Sequence, residues 1–309
     1  MSFDRELFDD ARREFLSHLL YAKGHSKATC FVYNSDLGIW GNWLVEAGKD
    51  WQTARYPDVE QFAAWLMRER GAKAHIVNRR LSALSTFYKW LQRGGIVEHD
   101  PVALAEKPKR PLRIPMWLER EEQSRFEATL KDRRNIPINI FGNNKTKMTE
   151  TRRRYEMLFG LLLNSGLRIS EALCLKTADV RILDGLAKSV RVIGKGDKER
   201  LVPLPGSFGA VFGFWLKDRN RGEAVFAKAD GKPVSPQAAR AYLRLMLDKA
   251  GIEKKISPHK LRHTYATNLL NAGAELVDIK ALLGHESIAT TQIYTNVGQE
   301  RMESIVSRL

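Results

Sequence analysis

A tyrosine, two histidines and an arginine lie in two short segments near the C-terminal end of the chain. His259 and Arg262 belong to HKLRHTYAT, and His285 and Tyr294 belong to LLGHESIATTQIYTN. A phenol, imidazoles and a guanidinium are the groups needed to attack a phosphodiester without a metal. A tyrosine hydroxyl has a pKa of about 10, so it needs cationic neighbours or a base to act as a nucleophile. These residue types predict a protein that cuts DNA.

The spacing of His285 and Tyr294 constrains how they meet. One unbroken helix would hold them roughly 13 Å apart, since each residue rises about 1.5 Å. Gly284 favours a helix end, and a bend there brings both side chains to one phosphate. The alternative is a packing segment built from its apolar residues, which are Leu282, Leu283, Ile288, Ile293 and Val297. A zinc site on His259 and His263 is disfavoured, because the glutamate of the metalloprotease pattern is missing and no third ligand is evident.

A second arginine occurs in the segment LNSGLRISEALCL, residues 163–175. Gly166 permits a turn and Ser170 is expected to cap a new helix, which places Arg168 where backbone N–H groups favour anions. Arg168 and Arg262 together are able to hold two non-bridging oxygens and stabilise a pentacoordinate phosphorane. The alternative is a surface arginine beside a helix cap. Glu171 either supports the site or lies on the helix surface.

A basic hairpin is predicted from the pattern of residues 188–204. The segment indicates two short strands joined by a glycine-containing turn. Lys195 at the tip is the candidate acid that protonates a departing 5′ oxygen, and the alternative is a solvated turn lysine. Lys198 and Arg200 are assigned to contacts with the DNA backbone.

These segments resemble the tyrosine recombinase (phage integrase) family, and most closely its Xer-like simple site-specific recombinases. The resemblance is strong from about Ser165 to Val297 and weaker in the N-terminal half. It implies a mainly α fold with an N-terminal helical core-binding (SAM-like) domain. The second domain is expected to be a mixed α/β catalytic domain with a small antiparallel sheet, around Val180 to Leu204.

The resemblance also implies a role for each residue of the set. Arg168 and Arg262 would clamp the scissile phosphate, and Lys195 would be the general acid. His259 and His285 would assist proton transfer and phosphate contact, while Tyr294 would be the nucleophile. The implied reaction proceeds through a 3′-phosphotyrosyl intermediate and a free 5′-hydroxyl, with no cofactor, ATP or metal.

Charge and composition agree with a polyanionic partner. The chain has 51 Lys+Arg against 36 Asp+Glu, a formal charge of +15 and a pI near 9.8. No apolar run approaches the roughly 18 residues of a spanning helix and no signal peptide is evident, so a soluble, cytoplasmic, nucleoid-associated protein without membrane contact is expected. Cys30 and Cys174 are expected to be buried thiols.

Length and pattern predict two domains. Residues 1–99 read as four amphipathic helices, the clearest carrying Val77, Leu81, Leu84, Tyr88 and Leu91. The segment around this helix resembles the last helix of the family's core-binding domain. Arg79 and Arg80 would then face DNA, and the alternative is a solvated face.

The remaining boundaries follow from prolines and basic runs. Residues 100–115 contain four prolines and are expected to form an extended linker, which lets two domains close around a duplex. The catalytic domain is expected at 116–309, with a basic insertion at about 131–151 and a helix start near Thr151. The segment at about 298–309 has helical spacing, and in the family such a tail docks on a neighbouring subunit. The alternative is that it docks back on its own subunit, and the sequence does not choose between the two.

The expected partners are double-stranded DNA with specific core sites and further copies of the chain, as a homotetramer or paired dimers on synapsed DNA. The sequence does not decide whether accessory proteins are needed. It also does not decide between a chromosomal and a mobile-element role. The insertion leaves room for a plasmid, transposon or phage enzyme. The alternatives are a type IB topoisomerase, a non-catalytic DNA-binding accessory protein and a structural nucleoid protein.

Overall fold

The computed structural model describes residues 3–108, 116–132, 145–194, 199–220 and 222–284, and of residues 145–148 only the helical backbone. The chain divides into two compact units, Met1–Arg113 and Ile114–Leu309. The division falls within the proline-rich segment 100–115. Each unit has its own buried core, as expected for a chain of this length.

The N-terminal unit contains the four predicted helices. They are α1 (Arg5–Ser17), α2 (Lys27–Glu46), α3 (Tyr56–Arg68) and α4 (Ala74–Arg93), and α1 continues into a short π-helix, His18–Ala22. Polar side chains cap the first two helices, because unpaired N–H groups at a helix start need an acceptor. Asp4 accepts from the Leu7 N–H at 3.0 Å, and Ser26 accepts from the Thr29 N–H at 3.1 Å.

The core of this unit is largely aromatic. Trp40 is fully buried and packs edge-on against Phe62, with ring centroids 4.9 Å apart. The Trp40 indole N–H donates to the Tyr88 hydroxyl at 3.1 Å, and that hydroxyl donates to the Trp51 carbonyl at 2.9 Å. These polar atoms are therefore satisfied inside an apolar core, as buried indole and phenol groups require. The helices are held by packing, and the polar atoms of Trp40 and Tyr88 are paired within the core.

Two helices at the start of the catalytic unit flank the predicted insertion. Helix α5 spans Arg120–Lys131, and α6 spans Lys145–Ser165. The sequence predicted a helix start near Thr151, but α6 begins six residues earlier. Residues 145–150 contain no proline or glycine, so nothing in them ends a helix. Residues 133–144 lie outside the described part of the chain.

The predicted antiparallel sheet is present, with three strands in the order β1 (Val180–Leu183), β2 (Leu186–Ile193) and β3 (Glu199–Pro203). Val190 at its centre pairs with Val180 on one side and Val202 on the other. All three valines are buried, so one face of the sheet lies against the core, as the alternating pattern requires.

Helix α8 (Gly206–Leu216) packs closely on β2. A Cβ at Gly209 would lie 2.4 Å from the Ala187 carbonyl oxygen, and one at Gly213 would lie 2.2 Å from the Gly185 carbonyl oxygen. Neither distance is possible for a side chain, so these two glycines set how near the helix lies to the strand.

The described part of the catalytic unit contains four further α-helices. They are α7 (Ile169–Cys174), α9 (Pro236–Lys249), α10 (Pro258–Asn271) and α11 (Leu276–Leu283). The last turns of α6, which lead into α7, bury Leu158, Phe159, Leu161 and Leu162 completely and leave only one side of the helix partly exposed. A helix with a wide apolar face packs that face against the core. It therefore gives the chain that follows it a rigid base.

The cysteine prediction was wrong in part. Cys174 is exposed and Cys30 is only partly buried. Cys174 ends the short helix α7 and points away from its packed side, on which Ala172 and Leu173 lie. Across the described ranges, no helix combines the length and the apolar character needed to span a membrane.

Candidate active site

Arg168 is positioned by a turn that only glycine permits. Helix α6 ends at Ser165, and Gly166 follows with φ +61°. A Cβ there would lie 2.4 Å from the Tyr265 ring and 2.7 Å from the Leu283 side chain. Gly166 is thus required both by its backbone conformation and by lack of space. The chain reverses here and presents Arg168 at the start of α7.

The capping of α7 differs from the prediction. Ser170 was expected to cap the helix, but the capping position is Arg168 and Ser170 lies inside the first turn. The Glu171 carboxylate accepts the Arg168 backbone N–H at 2.8 Å and its guanidinium at 2.8 Å. A carboxylate near a helix N-terminus is favoured by the helix dipole. Glu171 therefore fixes both the backbone and the side chain of Arg168.

Arg262 is fully buried, with 1% of its surface exposed. Its guanidinium donates to the Gly166 carbonyl at 2.9 Å and to the Leu283 carbonyl, and it lies 4.0 Å from the Glu171 carboxylate. One side chain on α10 thus joins the turn after α6, the helix α7 and the end of α11. A planar guanidinium suits this task because its donors diverge in fixed directions.

Glu171 is the centre of an arginine cluster that consists of Arg168, Arg200 and Arg262. Arg200 on β3 binds both carboxylate oxygens, at 3.2 Å and 2.9 Å. Burial alone would raise the pKa of Glu171, but hydrogen bonds from Arg200 and from the Arg168 backbone outweigh it and lower the pKa. Glu171 is therefore ionised at neutral pH. Three guanidinium groups against one carboxylate leave the cluster with excess positive charge, which favours a phosphate.

Arg200 binds the Glu171 carboxylate, and a contact with the DNA backbone stays a prediction for it. Its side chain is 15% exposed, and its Nε also donates to the Leu282 carbonyl at 3.3 Å. The side chain of Arg168 is 42% exposed, which makes it the most solvent-accessible arginine of the cluster. A bidentate pair that is largely covered fixes the orientation of both side chains. The sequence signal that could have revealed it is the glutamate three residues after Arg168.

His259 lies at the start of α10, next to the arginine cluster. Its ring packs edge-on against that of His263, with centroids 4.8 Å apart. Partial burial and then the charges of Arg262 and Arg168 lower the pKa of His259. The imidazole is therefore neutral at neutral pH, and a neutral imidazole is able to accept a proton. Among the described residues, no group of three or more His, Cys, Asp or Glu is placed to hold a metal ion.

Acidification is expected to destabilise the protein through His263. Burial, followed by the charges of His259 and Arg262, lowers the pKa of His263 from 6.5 to about 4. Between these two values the unfolded state binds more protons, so the free energy of unfolding falls as the pH falls. Urea unfolding at about pH 7 and about pH 5 measures this. Wild type should lose more stability than His263→Asn over that interval, and equal losses would contradict the assignment.

Arg79 and Arg80 both contact a buried carboxylate in the N-terminal unit. Asp36 on α2 is 1% exposed; Arg79 donates to one of its oxygens, and the Arg80 Nε lies 3.4 Å from the other. Burial raises the pKa of Asp36, and both arginines act against that rise. Arg79 keeps 44% of its side chain exposed and Arg80 keeps 16%. A DNA contact stays a prediction for both, and exposure favours Arg79.

Four predicted site residues lie outside the described part of the chain, namely Lys195, Lys198, His285 and Tyr294. The C-terminal segment 298–309 lies outside it as well. The elements that lead to these residues are described. Strand β2 ends at Ile193 and β3 begins at Glu199, while α11 ends at Gly284, which has φ +63°. The predicted helix end at Gly284 is confirmed.

Family comparisons match both units. The Phage integrase family matches residues 139–301, which is more than half of the chain. The N-terminal SAM-like domain of phage integrases matches residues 13–95. Both matches agree with the fold that the sequence predicted.

Curated relatives match over nearly the full length. The tyrosine recombinase XerD of Ralstonia nicotianae is 33% identical, with 96% of this chain and 92% of that protein covered. XerD of Proteus mirabilis is 34% identical over 94% of this chain and 89% of that protein. The tyrosine recombinase XerC of Bacillus licheniformis is 32% identical over 93% of this chain and 92% of that protein.

Solved structures show the same fold at lower identity. The site-specific recombinase XerH, bound to a palindromic difH substrate in a post-cleavage complex, aligns with a TM-score of 0.73 at 19% identity, covering 96% of this chain and 84% of that one. A lambda integrase (75–356) dimer bound to a COC′ core site aligns with a TM-score of 0.68 at 16% identity, covering 91% and 96%.

Proposed function

The chain belongs to the phage integrase family and is a tyrosine recombinase, and on this premise we propose that Tyr294 cleaves DNA at a phosphate held by Arg168 and Arg262. The supporting observation is the bond from the buried Arg262 guanidinium to the Leu283 carbonyl. It ties the phosphate clamp to the segment that leads directly into His285 and Tyr294. Arg262, one side chain of the proposed clamp, thereby fixes the last described turn before the proposed nucleophile.

The proposed clamp uses its two arginines differently. Arg262 is buried and fixed, so it supplies a preorganised charge that needs no rearrangement during reaction. Arg168 is accessible and is oriented by Glu171, so it meets the phosphate directly. Arg200 is a positioning residue, because it reaches the site through the Glu171 carboxylate. Positive charge around the phosphorus favours the extra negative charge of the pentacoordinate state.

The proposed reaction exchanges one phosphoester for another. The Tyr294 oxygen forms a bond to phosphorus while the bond to the 5′ oxygen breaks. Lys195 gives that oxygen a proton, and the tyrosine proton passes to a neutral histidine, for which the lowered pKa of His259 is suited. His285 contacts the same phosphate. The products are a 3′-phosphotyrosyl linkage and a free 5′-hydroxyl that attacks the partner strand, so the bond energy is conserved without ATP.

We further propose duplex DNA with specific core sites as the substrate and a homotetramer on two synapsed duplexes as the working assembly. Solved structures of the same fold are bound to DNA sites, namely XerH to a difH substrate and lambda integrase to a COC′ core site. The formal charge of +15 supports such a polyanionic partner. The tail at about 298–309 is the proposed docking element between subunits, and a mobile-element role is compatible with the basic insertion.

Covalent trapping tests the function and identifies its target together. The protein is incubated with nicked fragments of its source genome, and the covalently bound pieces are recovered and sequenced. Because a nick lets the cleaved end diffuse away, the phosphotyrosyl adduct accumulates. We expect recovered fragments to share one core sequence. Adducts spread over random sequences would instead indicate a topoisomerase, and a lack of adducts would indicate a non-catalytic DNA-binding protein.

A further inference from the structure

A second concentration of arginines lies in the catalytic unit, at the opposite end of α6 from the arginine cluster. It borders an open cleft of about 630 Å³ whose basic lining residues are Arg153, Arg154, Arg219 and Lys228. Arg154 lies roughly 16 Å along the helix axis from Ser165, at which α6 ends beside the cluster. We propose that this cleft binds a small ligand through its phosphate group.

Arg154 is the strongest evidence, because it is buried without an acceptor for its Nε. The residue is 7% exposed, and this nitrogen has no hydrogen-bond partner among the residues that the structure describes. Burial lowers the pKa of Arg154, and Glu150 offsets part of that shift. An arginine stays charged in proteins, so a buried, unpaired guanidinium N–H is costly until an anion accepts it. The cleft that Arg154 lines gives such an anion access.

Arg219 adds a second guanidinium to the same cleft. It lies over the Trp215 ring at 4.1 Å, and one terminal nitrogen donates to the Val225 carbonyl at 3.1 Å. Burial and then the charge of Arg154 lower the pKa of Arg219. The two guanidinium groups are thus near enough to repel each other. An oxyanion between them would relieve that repulsion and accept from both.

The carboxylates of the cleft compensate this positive charge only in part. Glu150 and Glu223 line the cleft opposite four basic residues. Glu223 accepts from the Asn220 side chain at 2.7 Å, and Asp230 pairs with Lys228 at 3.2 Å. Lys228 is therefore already neutralised in part, whereas Arg154 and Arg219 have no ion pair with a carboxylate within the described residues.

The shape of the cleft favours a small ligand over the backbone of a duplex. A volume of about 630 Å³ lies in the range of small-molecule sites. A backbone phosphate of a rigid duplex stays at the protein surface, whereas Arg154 is 7% exposed. A compact phosphate-bearing molecule is able to enter the cleft and accept from both arginines.

Calorimetric titration with inorganic pyrophosphate, at constant ionic strength and without DNA, tests the proposal. We expect saturable binding by wild type and about tenfold weaker binding by Arg219→Gln and by Arg154→Gln. The matched control is Lys217→Gln, which removes the same charge two residues from Arg219 on a side chain that does not line the cleft. Its affinity for pyrophosphate should equal that of wild type.

Three results would overturn the proposal. The first is that wild type shows no saturable binding of pyrophosphate. The second is that Lys217→Gln weakens pyrophosphate binding as much as Arg219→Gln does, which would indicate a general effect of surface charge. The third is a parallel loss of core-site duplex affinity in Arg219→Gln, which would assign the cleft to the DNA backbone. Circular dichroism checks each variant for folding. If Arg154→Gln does not fold, Arg219→Gln decides the outcome.

Discussion

Replacing Tyr294 by phenylalanine is expected to abolish the covalent protein–DNA adduct, with a loss of cleavage rate on the order of 10⁴-fold or more. The substitution removes one oxygen atom, which is the atom proposed to bond to phosphorus. Arg168, Arg262 and Glu171 do not depend on that oxygen, so affinity for the core site should change less than about threefold. Denaturing electrophoresis of the nicked-substrate reaction measures the adduct, and a gel-shift titration measures affinity.

Tyr242→Phe is the matched control for this experiment. Tyr242 is a buried tyrosine of the same catalytic unit, and its hydroxyl has no hydrogen-bond partner among the described residues. Removing it deletes the same oxygen atom without breaking a described contact, so adduct formation should equal that of wild type. Persistence of the adduct in Tyr294→Phe would assign the nucleophile to another residue. If Tyr294→Phe rearranges DNA as well as wild type does, the proposed function as a whole is contradicted.

Arg262→Lys is expected to slow cleavage by roughly 10²-fold to 10³-fold and to lower the free energy of unfolding by about 3 kcal/mol. The guanidinium donates in two directions, to the Gly166 and Leu283 carbonyls, and lies 4.0 Å from the Glu171 carboxylate. A lysine ammonium is a single point and lacks the planar fork that reaches both carbonyls. A buried acceptor is left unpaired, and the segment leading to Tyr294 loses its attachment to the phosphate clamp.

Urea unfolding and single-turnover cleavage separate these two effects of Arg262→Lys. Cleavage is measured at a temperature at which circular dichroism shows the variant to be fully folded. Arg191→Lys is the control for stability, because Arg191 is a half-exposed arginine on β2 that pairs with Asp179 and Glu199. Surface pairs contribute little, so its unfolding free energy should change by less than about 1 kcal/mol. If the folded Arg262→Lys variant cleaves DNA at the wild-type rate, Arg262 is not part of the phosphate clamp.

Features of the fold that depend on near neighbours in the chain were predictable. The spacing of Val77, Leu81 and Leu84 predicted α4, and all three are buried in the structure. The alternation after Lys188 predicted β2 and β3, and the left-handed conformation of Gly284 agrees with the expected end of α11. Helix and strand periods place residues three, four or two positions apart on one face, so a short window of sequence contains the information.

The prediction of the α7 cap was wrong because the local sequence offers two possible capping positions. Ser170 is a good capping residue by type, yet the chain places Arg168 at the capping position because Gly166 sets the turn two residues earlier. The DNA contact assigned to Arg200 stays a prediction, but the sequence did not reveal that its guanidinium also binds Glu171. Residue type alone does not distinguish a solvated arginine from a buried one, since both carry the same charge.

The sequence by itself determined the residue types of the proposed site, their order along the chain and the helices and strands that carry them. Only the tertiary structure decided which of those residues meet. Glu171 and Arg200 are 29 residues apart, and Arg262 and Gly166 are 96 apart. Contacts at such separations depend on how helices and strands pack, which no local period encodes. The carboxylate that organises the arginines therefore became visible only in the fold.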